Sequence, residues 1–143
     1  MTGAGAELRD FSLMPKKCPS IRVLIVDDEP LIRWSLAETL LDSGYDVSEA
    51  SNGQTALQVL SAAQAPFHVA VLDYRLPDSN DLKVLAAMRR MSPWTQVILM
   101  TAFGTPEVVS GAQQLGVYRV VHKPFEMSDI SDLVQQAHAS RFI

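Results

Sequence analysis

The stretch IRVLIVDDEP, residues 21–30, decides the fold of this chain. Its first six residues are mostly apolar and rich in β-branched side chains, which predicts a short strand buried in a parallel sheet. Two aspartates end that strand, and Pro30 favours the first turn of a helix that follows at once. A buried strand that passes directly into a helix is typical of an α/β protein.

The same alternation continues along the rest of the chain. Further strands are predicted over residues 45–50, 69–72, 96–100 and 118–121, and helices over residues 31–41, 55–63, 82–91, 106–115 and 128–140. Gly44 and Gly116 are the expected stops of the first and fourth helices. Because crossovers between parallel strands are right-handed, the helices should cover both faces of a doubly wound, five-stranded parallel sheet.

Composition indicates one soluble domain. The chain has 143 residues, of which 48% are hydrophobic and 20% charged, so it is long enough to bury a core. Its formal net charge of −4 argues against direct binding of nucleic acid. The single cysteine excludes an intrachain disulfide and a cysteine-based zinc site.

No apolar run approaches the roughly 20 residues that cross a bilayer, and the opening residues lack a secretory signal. We therefore expect a cytoplasmic protein with no membrane partner. Residues 1–20 are interpreted as an N-terminal tail, residues 21–140 as the domain, and residues 141–143 as the C-terminal end.

The ends of four predicted strands carry the candidate functional residues. Asp27 and Asp28 end the first strand, Asp73 ends the third, Thr101 ends the fourth, and Lys123 follows the fifth. In an open α/β sheet, residues at the carboxyl ends of the strands converge on one crevice, where ligands bind. The sequence therefore predicts that these residues form a single site.

The chemistry of this set suits phosphoryl transfer to an aspartate. Adjacent carboxylates repel one another unless a cation neutralises them, and a hard-oxygen site with open positions suits Mg²⁺. Lys123 offers a compact positive charge and Thr101 a hydroxyl for phosphoryl oxygens. Asp73 stands alone on a central strand, facing the pair Asp27 and Asp28, so it is the predicted nucleophile.

These motifs together resemble the receiver domain of bacterial two-component response regulators. The matching pieces are VLIVDDEP at residues 23–30, DYRLPD at 73–78, TA at 101–102 and KPF at 123–125. The resemblance covers about residues 21–140 and is strongest for the nitrogen-regulatory, NtrC-like class. It implies a flavodoxin-like (βα)5 fold with strand order 2-1-3-4-5.

The resemblance also implies roles at the site. Asp73 would accept a phosphoryl group from a sensor histidine kinase or a phosphotransfer protein. Magnesium would be held by Asp27, Asp28, Asp73 and the backbone carbonyl of Arg75.

Lys123 would pair with the phosphoryl group, and its peptide bond to Pro124 would be cis. Thr101 would move toward the phosphoryl group. The surface of the fourth helix, fifth strand and fifth helix would then change for partner binding or formation of a homodimer.

Several positions depart from the family pattern. Asp81 stands where receivers commonly have glycine, so the loop before the third helix should differ. Val120 replaces the usual aromatic switch residue, and Tyr118, two residues earlier on the same predicted strand face, is either its substitute or an ordinary packing residue. Arg75 and Phe103 flank the site, where they either screen an acyl phosphate from water or point into solvent.

Other functions stay open at this point. The missing aromatic residue is compatible with a receiver-like interaction module that no longer switches. An aspartate-nucleophile phosphatase would need a second acid where Arg75 stands, and a dinucleotide site would need glycines in the acidic turn after the first strand. We expect a regulator and not an enzyme, with His68, His122 and His138 as unclustered surface residues.

Overall fold

The computed structural model describes residues 20–140 as alternating strands and helices. The strands are β1 (Arg22–Val26), β2 (Asp46–Ala50), β3 (Val69–Asp73), β4 (Gln96–Thr101) and β5 (Arg119–His122). The helices are α1 (Pro30–Asp42), α2 (Gly53–Ala62), α3 (Lys83–Met91), α4 (Pro106–Gln114) and α5 (Met127–Ser140). Residues 1–19, which make up nearly all of the predicted tail, and the predicted end at 141–143 lie outside the described residues.

The five strands form one parallel sheet in the order β2-β1-β3-β4-β5. This is the predicted strand order, and it places β1, β3 and β4 in the centre. Their registers align the strand ends, with Asp73 opposite Met100 and Thr101 opposite His122. The carboxyl ends of β1, β3, β4 and β5 therefore meet at one edge.

Apolar clusters cover both faces of the sheet. On one face, Ala56 of α2, Met88 of α3 and Ala112 of α4 pack against residues such as Leu72. On the other face, α1 and α5 pack against alternate residues of the same strands through Leu36, Leu40, Ile130 and Val134. The central strands are buried on both sides, which explains their uninterrupted apolar sequences.

The predicted helix boundaries are confirmed where local chemistry sets them. Gly44 and Gly116 follow α1 and α4 with φ angles of +93° and +87°, a region that favours glycine. At the start of α4, the Thr105 hydroxyl accepts a hydrogen bond from the Val108 N–H at 3.3 Å, and Pro106 occupies the first turn.

Two aspartates shape the loop between β3 and α3. The Asp81 carboxylate accepts hydrogen bonds from the Lys83 N–H at 2.9 Å and from the Ser79 hydroxyl at 3.3 Å, so it closes the turn that leads into α3. The Asp78 carboxylate reaches across to α2 and accepts the N–H groups of Gly53 at 2.8 Å and Gln54 at 2.9 Å. These two backbone donors lower the pKa of Asp78.

Replacing Asp78 with asparagine should lower the free energy of unfolding at pH 7 by about 1 kcal/mol, since an amide cannot accept both hydrogen bonds. The lowered pKa of Asp78 makes this stabilisation present above the unfolded-state pKa of about 3.9 and lost as pH falls below it. Urea unfolding at neutral and strongly acidic pH measures the difference. A gap between wild type and Asp78→Asn that persists unchanged in acid would contradict the assignment.

The histidines do not all lie apart, as the sequence had suggested. The rings of His68 and His138 meet edge to face, with centroids 5.2 Å apart and planes at 81°. They come together because His68 directly precedes β3 and His138 lies in the last turn of α5, at the edge of the sheet opposite the candidate site. His122, at the end of β5, lies close to that site.

Candidate functional site

A cavity of about 260 Å³ opens where the carboxyl ends of the central strands meet. Its walls are residues 73–75 at the end of β3 and residues 101–103 at the end of β4, together with Asp28, Glu29 and Lys123. Asp27 lies beneath it and is fully buried. The structure thus brings together side chains that span nearly a hundred positions of sequence, as the strand-end pattern predicted.

One ammonium group joins three carboxylates at the base of this cavity. Lys123 Nζ lies 3.3 Å from Asp73 Oδ2, 3.4 Å from Asp27 Oδ2 and 3.4 Å from Glu29 Oε1. The Lys123 side chain is 15% exposed and the Asp73 side chain 6%, so solvent screens these charges weakly. Three carboxylates therefore face one ammonium group, with Asp27 and Asp73 buried and Glu29 at the exposed side of the cavity.

Burial and the crowding of carboxylates shift the pKa values of the site. Burial, followed by the charge of Asp27, raises the pKa of Asp73 from its ordinary 3.8 to about 6, although Lys123 acts against this. Burial also raises the pKa of Asp27. Burial works to lower the pKa of Lys123, but the carboxylates of Asp73 and Asp27 outweigh it and raise that pKa. The site is therefore short of positive charge.

The arrangement of oxygens fits a small divalent cation. Asp27, Glu29 and Asp73 each offer one carboxylate oxygen, and these three oxygens lie within 4.8 Å of one another. Asp28 is exposed and lines the same cavity, but it is not part of this closest group. Sequence reasoning missed Glu29, although it continues the acidic run at the end of β1.

Backbone hydrogen bonds fix the acidic side chains. The N–H of Glu29 donates to Asp27 Oδ1 at 2.9 Å, and the N–H of Arg75 donates to Asp73 Oδ1 at 3.3 Å. Asp73 therefore turns its second oxygen, Oδ2, toward Lys123. The bond from Arg75 also places the backbone of that residue beside the predicted acceptor.

A backbone hydrogen bond at the end of the sheet connects Thr101 with Lys123. The N–H of Lys123 donates to the Thr101 carbonyl at 2.9 Å, which continues the pairing of β4 with β5. Thr101 is 1% exposed, and its hydroxyl accepts the N–H of Phe103 at 3.0 Å. The Lys123–Pro124 peptide bond is cis, as the family resemblance implied.

Tyr118 does not lie on the same face as Val120, and that prediction was wrong. Tyr118 precedes β5 and packs against the cluster formed with α1 and α5, whereas Val120 packs against the cluster beneath α4. Side chains alternate by two only within a strand, and β5 begins one residue after Tyr118. Tyr118 therefore cannot replace the missing aromatic residue from the face that Val120 occupies.

Arg75 and Phe103 form a pair at the rim of the cavity, which we call the rim pair. The guanidinium carbon of Arg75 lies 5.2 Å from the centroid of the Phe103 ring, within the range of a cation–π contact. Phe103 is 65% exposed although it is a large apolar residue. The rim pair links the loop after β3 to the loop after β4.

None of the helices within residues 20–140 combines the length and apolar character that spanning a membrane requires.

Known proteins are similar to this chain over nearly all of the described domain. A family model described as response regulator receiver domain matches residues 23–135. Regulatory protein AtoC of Escherichia coli is 35% identical over 116 residues, which cover 81% of this chain and 25% of AtoC. Sporulation initiation phosphotransferase F of Bacillus subtilis is 30% identical over 115 residues, which cover 80% of this chain and 91% of that protein.

A solved structure supports the fold independently. The CheY-like receiver domain protein from Methanospirillum hungatei superposes with a TM-score of 0.82 at 23% identity, over 87% of this chain and 98% of that one. The curated relatives include NtrC-like regulators such as AtoC, in agreement with the class that the motifs resemble. With its order of strands, its acidic pocket and the family match over residues 23–135, the chain belongs to the response regulator receiver domain family of two-component systems.

Proposed function

We propose that Asp73 of this receiver domain accepts a phosphoryl group from the phosphohistidine of a sensor kinase or phosphotransfer protein. The observation that carries the proposal is the position of Asp73 Oδ2, which lies 3.3 Å from Lys123 Nζ at the base of an open cavity. One Asp73 oxygen forms a bond to phosphorus while the bond from phosphorus to the histidine nitrogen breaks. The electron pair of that bond leaves with the imidazole.

Residues around Asp73 supply what the transfer requires. The Lys123 ammonium, now shared among carboxylates, would bind one oxygen of the incoming phosphoryl group. The Thr101 hydroxyl would donate to another, since its present hydrogen bond with Phe103 uses it only as an acceptor. Each contact neutralises negative charge on the phosphoryl group during transfer.

The acidic cluster would hold a magnesium ion, which would complete this charge balance. The ligands implied by the family are Asp27, Asp28, Asp73 and the Arg75 backbone carbonyl. Glu29 is a further candidate because its carboxylate lies close to those of Asp27 and Asp73. Hard carboxylate oxygens close to one another, with room left for water and phosphoryl oxygens, are what Mg²⁺ prefers. The bound ion would neutralise negative charge on the phosphoryl oxygens.

The proposal is tested with a small-molecule donor. Incubation with acetyl phosphate and Mg²⁺ should add the mass of one phosphoryl group to the wild-type protein. The added mass should be absent with EDTA and in Asp73→Asn, and present in Asp132→Asn, which alters an exposed carboxylate on α5. An equal mass gain in Asp73→Asn would overturn Asp73 as the acceptor.

Phosphorylation is proposed to act on the surface of α4, β5 and α5, which a partner or a second copy of the chain would read. Thr101 connects the site to this surface through the loop to α4 and through its pairing with β5. Beryllofluoride with Mg²⁺ should slow amide exchange within residues 101–122. Binding of both without any change in exchange or oligomer size would instead favour a module that does not switch.

Removing the rim pair should shorten the lifetime of the acyl phosphate. Phe103→Ala is expected to speed hydrolysis about fivefold, which corresponds to about 1 kcal/mol, the value of one cation–π contact. Arg75→Ala should act similarly, and the double variant should be no faster than either single one, because the two side chains act as one cover. If the rate increase in the double variant equals the product of the two single increases, Arg75 and Phe103 act separately.

A further inference from the structure

The imidazole of His122 lies against Gly104, in the loop from Thr101 to α4. A Cβ atom added to Gly104 would stand 2.5 Å from His122 Cε1 and 2.9 Å from its Nδ1. It would also stand 3.1 Å from Thr101 Cγ2. Two ring atoms thus approach Gly104 more closely than a side-chain carbon there would allow, so the ring fills the space beside its Cα.

Phe103, the residue before Gly104, is hydrogen-bonded through both its N–H and its carbonyl, so a shift of the loop at Gly104 reaches it. The Phe103 N–H donates to the Thr101 hydroxyl at 3.0 Å, and the Thr105 N–H donates to the Phe103 carbonyl at 2.9 Å. Phe103, the apolar half of the rim pair, is therefore held between the buried end of β4 and the cap of α4. Its position depends on where Gly104 lies.

The backbone of His122 is held in the sheet, although its side chain is exposed. It pairs with Thr101 in the register of β5 with β4, and the next residue, Lys123, donates its N–H to the Thr101 carbonyl. The backbone of His122 thus moves with the two residues that would bind the phosphoryl group. Its side chain touches the loop that carries Phe103.

We propose that His122 is a positioning residue for retention of the phosphoryl group. Its ring is a spacer between β5 and Gly104 that keeps Phe103 at the wall of the cavity that Asp73 also lines, and this role rests on the proposed function. The ring acts by its shape, so another flat ring serves in its place. An alanine leaves a gap into which the loop relaxes, and Phe103 no longer holds its place at the rim.

The test measures the rate at which the phosphorylated protein loses its phosphoryl group. His122→Ala should speed hydrolysis about threefold, whereas His122→Phe should stay close to wild type. The variant Phe103→Ala/His122→Ala should be no faster than Phe103→Ala alone, because the spacer acts through Phe103. A wild-type rate in His122→Ala, or multiplied effects in the double variant, would overturn the proposal.

Gly104 provides an independent check of the same contact. Gly104→Ala should speed hydrolysis because the new methyl group displaces the loop from the His122 ring. In a protein that already carries His122→Ala, the same Gly104→Ala change should leave the rate of hydrolysis unchanged. If Gly104→Ala speeds hydrolysis by the same factor in wild type and in His122→Ala, the contact between Gly104 and His122 is contradicted. Failure of the wild-type protein to gain a phosphoryl group would overturn the proposed function instead, so the two failures are distinguishable.

Discussion

Asp73→Asn is expected to make the metal-free protein more stable at pH 7 while abolishing phosphorylation. The wild-type carboxylate is buried beside Asp27, and its pKa rises from 3.8 to about 6. A rise of this size corresponds to roughly 3 kcal/mol of destabilisation of the charged form. Asparagine has nearly the same shape without the charge, so most of that cost should disappear.

The sign of this effect gives it a distinct dependence on pH. The folded state holds the Asp73 proton more tightly than the unfolded state, so the contribution of Asp73 to wild-type stability falls as pH rises from about 4 to about 6 and is level above that range. The difference between Asp73→Asn and wild type should therefore be largest above pH 6 and vanish near pH 4.

Urea unfolding in EDTA across this range of pH measures the difference. Asp132→Asn, on the exposed side of α5, is the matched control and should follow wild type. An Asp73→Asn variant that is less stable than wild type at pH 7, or that differs by the same amount at every pH, would contradict the electrostatic account of the site.

Lys123→Met is expected to have the opposite effect on stability, and to slow phosphorylation without removing the acceptor. It leaves Asp27, Glu29 and Asp73 without the ammonium that lies within 3.4 Å of each. Breaking a buried pair in this way costs roughly 3–5 kcal/mol, and loss of one group that neutralises the transferred phosphoryl should slow phosphorylation by about 100-fold or more.

The matched control is Lys83→Met, since Lys83 is 90% exposed and lies 4.0 Å from Asp81 Oδ2. An exposed pair of this kind should change the free energy of unfolding by less than about 1 kcal/mol. Adding Mg²⁺ should stabilise Lys123→Met more than wild type, since the ion supplies the missing charge. Lys123→Met that is as stable as Lys83→Met in EDTA would contradict the account.

The sheet and the centre of the site were predictable because both depend on strand ends. Apolar runs of β-branched residues marked β1, β3 and β4, and a parallel sheet brings their carboxyl ends to one edge. Asp27, Asp73, Thr101 and Lys123 therefore came together without knowledge of any loop. The turn residues Gly44 and Gly116 also acted through local backbone preference alone.

Contacts that depend on where a strand begins, or on how a loop is placed, could not be predicted from the sequence. The placement of Tyr118 failed because β5 starts one residue later than the apolar pattern suggested. Glu29 and His122 gave no strong signal, since an exposed acid and an exposed histidine are ordinary at a strand end. The contact of His122 with Gly104 exists only once β5 and the loop after β4 are adjacent.

The most direct test of Asp73 as the phosphoryl acceptor is chemical mapping of the modified residue. Borohydride reduces an aspartyl phosphate to homoserine, which peptide mass spectrometry identifies by position. After treatment with acetyl phosphate and Mg²⁺, the account predicts homoserine at position 73 alone. Homoserine at Asp27 or Asp28, or a phosphoryl group that resists borohydride, would contradict it.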